Sequence, residues 1–394
     1  MKYYFLFGLC LLIIAGCSLK EPVIQEFPII TTLSPIQVDS TGATFRGELM
    51  KAGKETLNSY GFVWGIEDPN TTTSFKIIMG NSIDSKKFTK RIDSNFVKGL
   101  NYKVRSFATY GYITVYGNLV SVVSKGSTKN AWSMELANSS MDGYDLALGS
   151  SCSGLGFILF SQWGFFKYDP VNNVMSNITD FPNPEQAGHI FSTVTAGNKQ
   201  YYRTNRENSL YTFENGVWTK IGAIPFPFYH LYYQGLYVAN SIYFLSSAAS
   251  YEYLPDSNAW KPVPSIPVST YASIAGTSLN GKAYVLTADM SIWEFDPQNL
   301  SWKNLTKYPG ILNSYINSFA FNNKIYFGLS YGDNKLWEYD LLLKSWKTKE
   351  DLPIKGTDFS FNFTINNKLY VGMGNQIWVP VSRGYKLFKF DPLK

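Results

Sequence analysis

From Ile316 to Lys349 the hydrophobic pattern of the chain is that of four short strands. "INSFAFN" alternates apolar and polar residues, "NNK" breaks the run, and "KIYFGLS", "KLWEYD" and "KSWKTK" follow. A period of two over four to eight residues predicts strands. Asn-Asn, Asn-Gly and Gly-Asn before Lys (322, 280, 366 and 197 begin these triplets) predict tight hairpins, because those residues tolerate positive φ. The pattern then recurs. Tryptophans stand at 132, 218, 260, 302 and 346, with Met175 in the one gap. Prolines stand at 182, 225, 267, 309 and 353, and strand-opening tyrosines at 201, 243, 284, 326 and 370. A period of about 43 residues with four strands in each predicts the blades of a β-propeller, and the absence of an amphipathic helical period excludes a helical solenoid.

Counting third strands gives the number of blades. Phe166-Lys167-Tyr168, Leu210-Tyr211-Thr212, Tyr251-Glu252-Tyr253, Trp293-Glu294-Phe295, Trp337-Glu338-Tyr339 and Phe388-Lys389-Phe390 predict six. The last is followed by Asp391-Pro392-Leu393-Lys394 and no tryptophan strand. The unpaired strand "KNAWSMELA" (129 to 137) is expected to complete that blade, closing the ring and hiding its edges. Upstream, "PIITTLSPIQVDSTGATFRGEL", "NSYGFVWG" and "FVKGLNYKVRSFATYGYITVYGNLVSVVS" predict several strands at spacings of roughly ten residues, a small β-sandwich. The predicted fold class is all-β: a sandwich over 28–127, then a six-bladed propeller over 128–394 closed by pairing of its first and last strands.

Three resemblances refine this picture. "IIAGC" ahead of Ser18, after one lysine and an apolar run too short to span a bilayer, resembles the lipobox of bacterial lipoproteins. It implies a signal peptide at 1–16, lipidation of Cys17 and a tether at 17–27, and thus an outer-membrane lipoprotein facing the cell surface or the periplasm. "GLNYKVRSFATYGYITVYGN" resembles the end of the fibronectin type III-like modules common in lipoproteins of the Bacteroidetes, and "GFVWG" matches their central strand. Tyr102, Val104 and Phe107 are then expected in the core, with Trp64 as the buried indole between the sheets. The repeats resemble kelch motifs, with Asp296 to Trp302 and Asp340 to Trp346 keeping the step from third to fourth strand. They lack the kelch diglycine, which is replaced by "YYRTN", "YFLSS", "YVLTA" and "YFGLS". The fold is therefore expected to carry over, but no particular kelch function with it.

Composition narrows the function. The 394 residues are 45% hydrophobic, 17% aromatic and 16% charged, which fits strands. The net charge of +6 is scattered, so no nucleic-acid partner is expected. Of three cysteines only Cys152 remains once Cys10 leaves with the signal and Cys17 carries lipid, so no intrachain disulfide can form. Two histidines, no spacing of metal ligands and no phosphate loop or nucleophile elbow predict no catalytic residue, metal or cofactor. The repeated Asp169, Asp296, Asp340 and Asp391 read as turn acceptors and the tryptophans as packing residues.

Function is expected on the rim opposite the hairpins, where loops of unequal length converge. The candidate ligand-binding residues there are Trp163, Arg203, Tyr229, His230, Tyr271, Tyr315, Tyr331, Trp378 and Arg383. Flat aromatics among a few Arg and polar groups suit sugar rings or peptide surfaces. The expected role is a lipid-anchored envelope protein that binds a glycan or an envelope or surface protein without catalysis. The alternatives are a sugar-modifying enzyme of the epimerase or lyase type, drawing on Arg203, Glu207 and His230, and a structural scaffold of an envelope complex.

Overall fold

A computed structural model describes residues 27–138, 147–160, 164–182, 190–204, 207–225, 234–268, 273–313, 316–355, 360–373 and 385–394. They are all-β apart from one short 3-10 turn at Pro255–Ser257. Six four-stranded antiparallel sheets account for the repeats, an arrangement consistent with a propeller. Their first strands are Ala147–Cys152, Ile190–Ala196, Gln234–Val238, Ser273–Leu279, Asn317–Phe321 and Phe361–Ile365. Each touches the first strand of the next sheet, and 147–152 also touches 361–365. The sixth sheet takes its fourth strand from far upstream: Trp132–Asn138 pairs antiparallel with Tyr385–Phe390, Trp132 opposite Phe390.

Cross-strand packing explains the periodic tryptophans. In each sheet the repeat residue of the fourth strand lies opposite an aromatic of the third: Trp218 opposite Phe213, Trp260 opposite Tyr253, Trp302 opposite Phe295, Trp346 opposite Tyr339. Ring centroids in these pairs lie 4.7 to 5.0 Å apart, the range in which aromatic pairs attract beyond simple burial. Met175, opposite Tyr168, fills the same place with a flexible thioether. The repeated aspartates accept backbone hydrogen bonds in the following turn, Asp169 from Val171 at 2.8 Å and Asp340 from Leu342 at 2.9 Å. Asn322 and Asn323 turn the fifth hairpin at φ 49° and 58°, and Asn366 and Asn367 the sixth at 50° and 60°, the left-handed region that Asn tolerates.

Residues 29–123 form two further sheets. Ile29–Asp39, Gly42–Lys51 and Lys87–Ile92 make one. Phe75–Gly80, Leu57–Gly65, Asn101–Tyr110 and Ile113–Tyr116 make the other, with Val120–Val123 pairing the 101–110 strand. Their inner faces share a core in which Phe45 meets Phe62 and Trp64 edge-on at 5.8 and 5.7 Å. Trp64 is buried and its Nε1 donates to Asn95 O at 2.9 Å; Tyr102, Val104 and Phe107 are buried as well. This core does not stop at the sandwich. It continues through Trp132 into Phe319, Leu336, Leu352 and Phe388 of the fifth and sixth repeat sheets. Glu350 stitches the junction, accepting from the backbone N–H of Asn95 at 3.3 Å and of Ala131, while its own carbonyl accepts from Trp132 Nε1 at 2.8 Å.

Candidate binding site

Strand alternation sorts the first strands of the repeat sheets into two sets. Ser192, Ala275, Asn317 and Phe361 are buried between sheets. Their neighbours Thr193, Gly276, Ser318 and Asn362, with Gly149 and Gly235 in register, are half-exposed, as are Ser151, Thr195, Ser278, Ala320 and Thr364 further on. Apart from Tyr237 of the third sheet, 36% exposed, this wall is small and uncharged, because adjacent first strands approach closely. Ser318 Oγ donates to Gly276 O at 2.8 Å and Asn362 Nδ2 to Asn317 Oδ1 at 3.0 Å. A Cβ on Gly149 would stand 2.3 Å from Asn362 O, so glycine is required there.

The ends of the second and third strands carry a recurrent clamp that the sequence pattern did not single out. Thr204 Oγ1 donates to Ser209 O at 3.1 Å, Thr287 Oγ1 to Ser291 O at 3.0 Å, and Ser250 Oγ to Ser246 O at 2.9 Å. The signal was a serine opening each of these third strands, four or five residues after a Ser or Thr; it rigidifies the base from which the rim loops leave. Acids sit beside two clamps and are neutralised. Glu207 accepts from Lys220 Nζ at 2.6 Å and Tyr211 Oη at 2.8 Å, and these bonds hold its carboxyl below the usual range. Burial pushes the Asp289 carboxyl up, but hydrogen bonds from Thr287, Ser291 and Lys307 outweigh it and leave the group well below that range.

Asp333 behaves differently. It is 7% exposed, burial raises its carboxyl above the ordinary value, and its Oδ2 has no hydrogen-bond partner among the described residues. Tyr308 Oη and Trp337 Nε1 are likewise buried without partners among the described residues, and both lie within 3 Å of where a Cβ on Gly310 would stand. The loop at 308–313 is tied to the loop at 330–335: Asn313 Nδ2 donates to Tyr331 O at 2.8 Å and Ser330 Oγ to Ile311 O at 3.3 Å.

Of the expected rim residues, Tyr331 lies at the surface here, 36% exposed. Arg203 is 3% exposed on the strand Lys199–Thr204, between Ser192 and Leu210 on its neighbours. Trp163, Tyr229, His230, Tyr271, Tyr315, Trp378 and Arg383 lie outside the described residues, as do Cys17 and the signal segment.

No family model and no curated protein matches the sequence. Among solved structures, two from Bacteroides thetaiotaomicron VPI-5482 resemble the chain over 92% of its length and 98% of theirs. One is a protein of unknown function (10% identity, TM-score 0.48), the other an auxiliary nutrient binding protein (8% identity, TM-score 0.48). The structure of YjhT matches 47% of this chain and 73% of its own, at 14% identity and a TM-score of 0.41.

Proposed function

We propose that this chain is a lipid-anchored cell-envelope protein that binds a glycan or a protein partner on the loop-bearing rim of a closed, six-bladed, kelch-like propeller, without catalysing a reaction. A fibronectin type III-like sandwich at 28–127 would hold the propeller at 128–394 off the outer membrane, on the surface or the periplasmic side, with Cys17 as the lipid-bearing residue. The observation that carries the binding reading is the rim's chemistry. Two of its acids, Glu207 and Asp289, are committed to lysines and hydroxyls, the strand ends are braced by Ser/Thr clamps, and the wall of the first strands is neutral and, Tyr237 apart, small. Such a base suits recognition through exposed aromatics and polar loops more than proton transfer.

Contacts between successive first strands, including 147–152 with 361–365, support the closed ring. Two experiments test the reading. A glycan array probed with the soluble chain from Glu21, beside the variant Tyr229→Ala/Trp378→Ala, should show binding to one sugar class that the variant loses; no binding to any glycan would move the search to envelope proteins. Cys17→Ser should release the protein from the membrane fraction.

Asp333 favours one second reading, the sugar-modifying enzyme. A buried carboxyl with a raised pKa beside Tyr308 and Trp337 has the character of a general acid. Turnover of a bound sugar that is abolished by Asp333→Asn, with binding retained, would establish that reading.

A further inference from the structure

A groove of about 540 Å³ opens between the sandwich and the outer strand of the fifth repeat sheet. Four lysines from three separate parts of the chain line it: Lys129, Lys347, Lys349 and Lys394. Their countercharges are few. Lys347 and Lys349 share the single buried carboxylate of Glu338 with Lys324, at 3.0, 3.5 and 2.8 Å, so three ammonium groups face one carboxylate. The Lys347 side chain remains 59% exposed. Lys129 is paired with Asp93 at 2.7 Å yet 70% exposed. Two carboxyls also line the groove and are already engaged: Glu350 by the backbone N–H of Asn95 and Ala131, and Asp351 by Lys335 at 3.1 Å. Phe75 forms part of the wall, held against Trp64 at 5.9 Å, and Ser94 and Thr348 add hydroxyls.

We propose that this groove is a second binding site, which takes a saccharide carrying sulfate or carboxylate groups. The surplus of ammonium groups selects an anion, and lysine offers mobile point charges that suit scattered sulfates or uronates better than one rigid bidentate partner. The half-buried phenyl face with flanking hydroxyls selects a ring bearing further hydroxyls over a bare inorganic ion. The site belongs to the junction: neither the sandwich nor the repeat sheets alone supply its walls. None of the candidate rim residues is among the described residues that line it, so binding here and binding on the rim fail separately.

The test is calorimetric titration of the full soluble chain with heparin-derived hexasaccharide, with oligogalacturonate and with inorganic sulfate. Lys129→Ala/Lys347→Ala and the exposed Lys394→Ala are compared with Lys303→Ala, which occupies the position of Lys347 in the fourth sheet, and with Tyr229→Ala/Trp378→Ala. At least one anionic oligosaccharide should bind, weakening steeply with added salt as exposed charges are screened. The lysine double variant should lose at least tenfold in affinity and Lys394→Ala severalfold, while Lys303→Ala and the rim variant bind as the parent does. Absence of binding, an equal loss in Lys303→Ala, a loss confined to the rim variant, or sulfate binding as tightly as either oligosaccharide would each overturn the proposal.

Discussion

The fourth and fifth repeat sheets are built on one frame and differ in what covers them. Both set a fourth-strand tryptophan against a third-strand aromatic at 4.9 Å, and both turn on an aspartate that accepts from the backbone two residues on. In the fourth sheet Glu294 pairs with Lys282 at 2.7 Å and stays 15% exposed. In the fifth, the equivalent Glu338 is 1% exposed and gathers Lys324, Lys347, Lys349 and the Tyr326 hydroxyl. Lys349 stands where the fourth sheet has Leu305, counting from the tryptophan. The core of the fifth and sixth sheets runs on into the sandwich through Phe319, Leu336 and Phe388, whereas the buried residues of the fourth pack only with the third and fifth sheets. The repeat thus fixes the frame, and the neighbour that a sheet touches decides the rest.

The largest expected effect breaks this comparison at its covered end. Trp132 is 2% exposed, completes the sixth sheet and touches the sandwich core, so Trp132→Ala should cost about 3–5 kcal/mol. Trp302→Ala, on a half-exposed surface, should cost about half as much; denaturant midpoints measure both, and equal losses would show that covering the sheet contributes nothing. Glu338→Gln comes next, at about 3 kcal/mol, because it leaves lysines without their buried partner. Glu294→Gln should cost under about 1 kcal/mol.

These two carboxylate variants also differ in pH dependence. Burial raises the Glu338 carboxyl, but Lys324, Tyr326 and Lys347 outweigh it and bring it from 4.5 to about 2. A depressed acid stabilises the fold above its unfolded pKa and loses that contribution as pH falls through the folded value. The gap in melting temperature between the parent and Glu338→Gln should therefore be full above pH 4.5 and shrink toward pH 2. Glu350 has the opposite sign. Burial raises its carboxyl, so its ionisation disfavours the folded junction as pH rises above the unfolded value. Glu350→Ala should cost about 2 kcal/mol by leaving the Asn95 and Ala131 N–H groups unpaired, and should speed proteolysis between residues 124 and 131. The smallest effect sharpens the shared part of the comparison. Asp296→Ala and Asp340→Ala remove the same turn acceptor and should each cost about 1 kcal/mol, the partly exposed Lys282–Asp296 pair at 3.4 Å adding little.

What was legible in the sequence follows the same division. The strands, the hairpins, the packing role of the tryptophans and even the donation of Trp132–Asn138 to the last sheet could be read, because each depends on local pattern or on a period that repeats. The stitching by Glu350 could not be read. It joins Asn95, Ala131 and Trp132 across more than two hundred residues, and nothing in "KTKEDLP" distinguishes that glutamate from a surface one. The gathering of three lysines on Glu338 was hidden for the same reason: "WEYD" and "WEFD" look alike, and only the covering core separates them. Arg203 belongs in the sequence to "RTNREN", which reads as a rim loop, but it stands on the strand Lys199–Thr204 and is 3% exposed.

The most direct test of the central claim, that recognition sits on the rim opposite the hairpins, is a glycan array run with three proteins side by side. These are the parent chain, the loop-rim variant Tyr229→Ala/Trp378→Ala, and a hairpin-rim variant, Lys199→Ala/Asn280→Ala. The parent and the hairpin-rim variant should bind one sugar class, and the loop-rim variant should lose that binding. Retention of that binding in the loop-rim variant, with loss in the hairpin-rim variant, would contradict it.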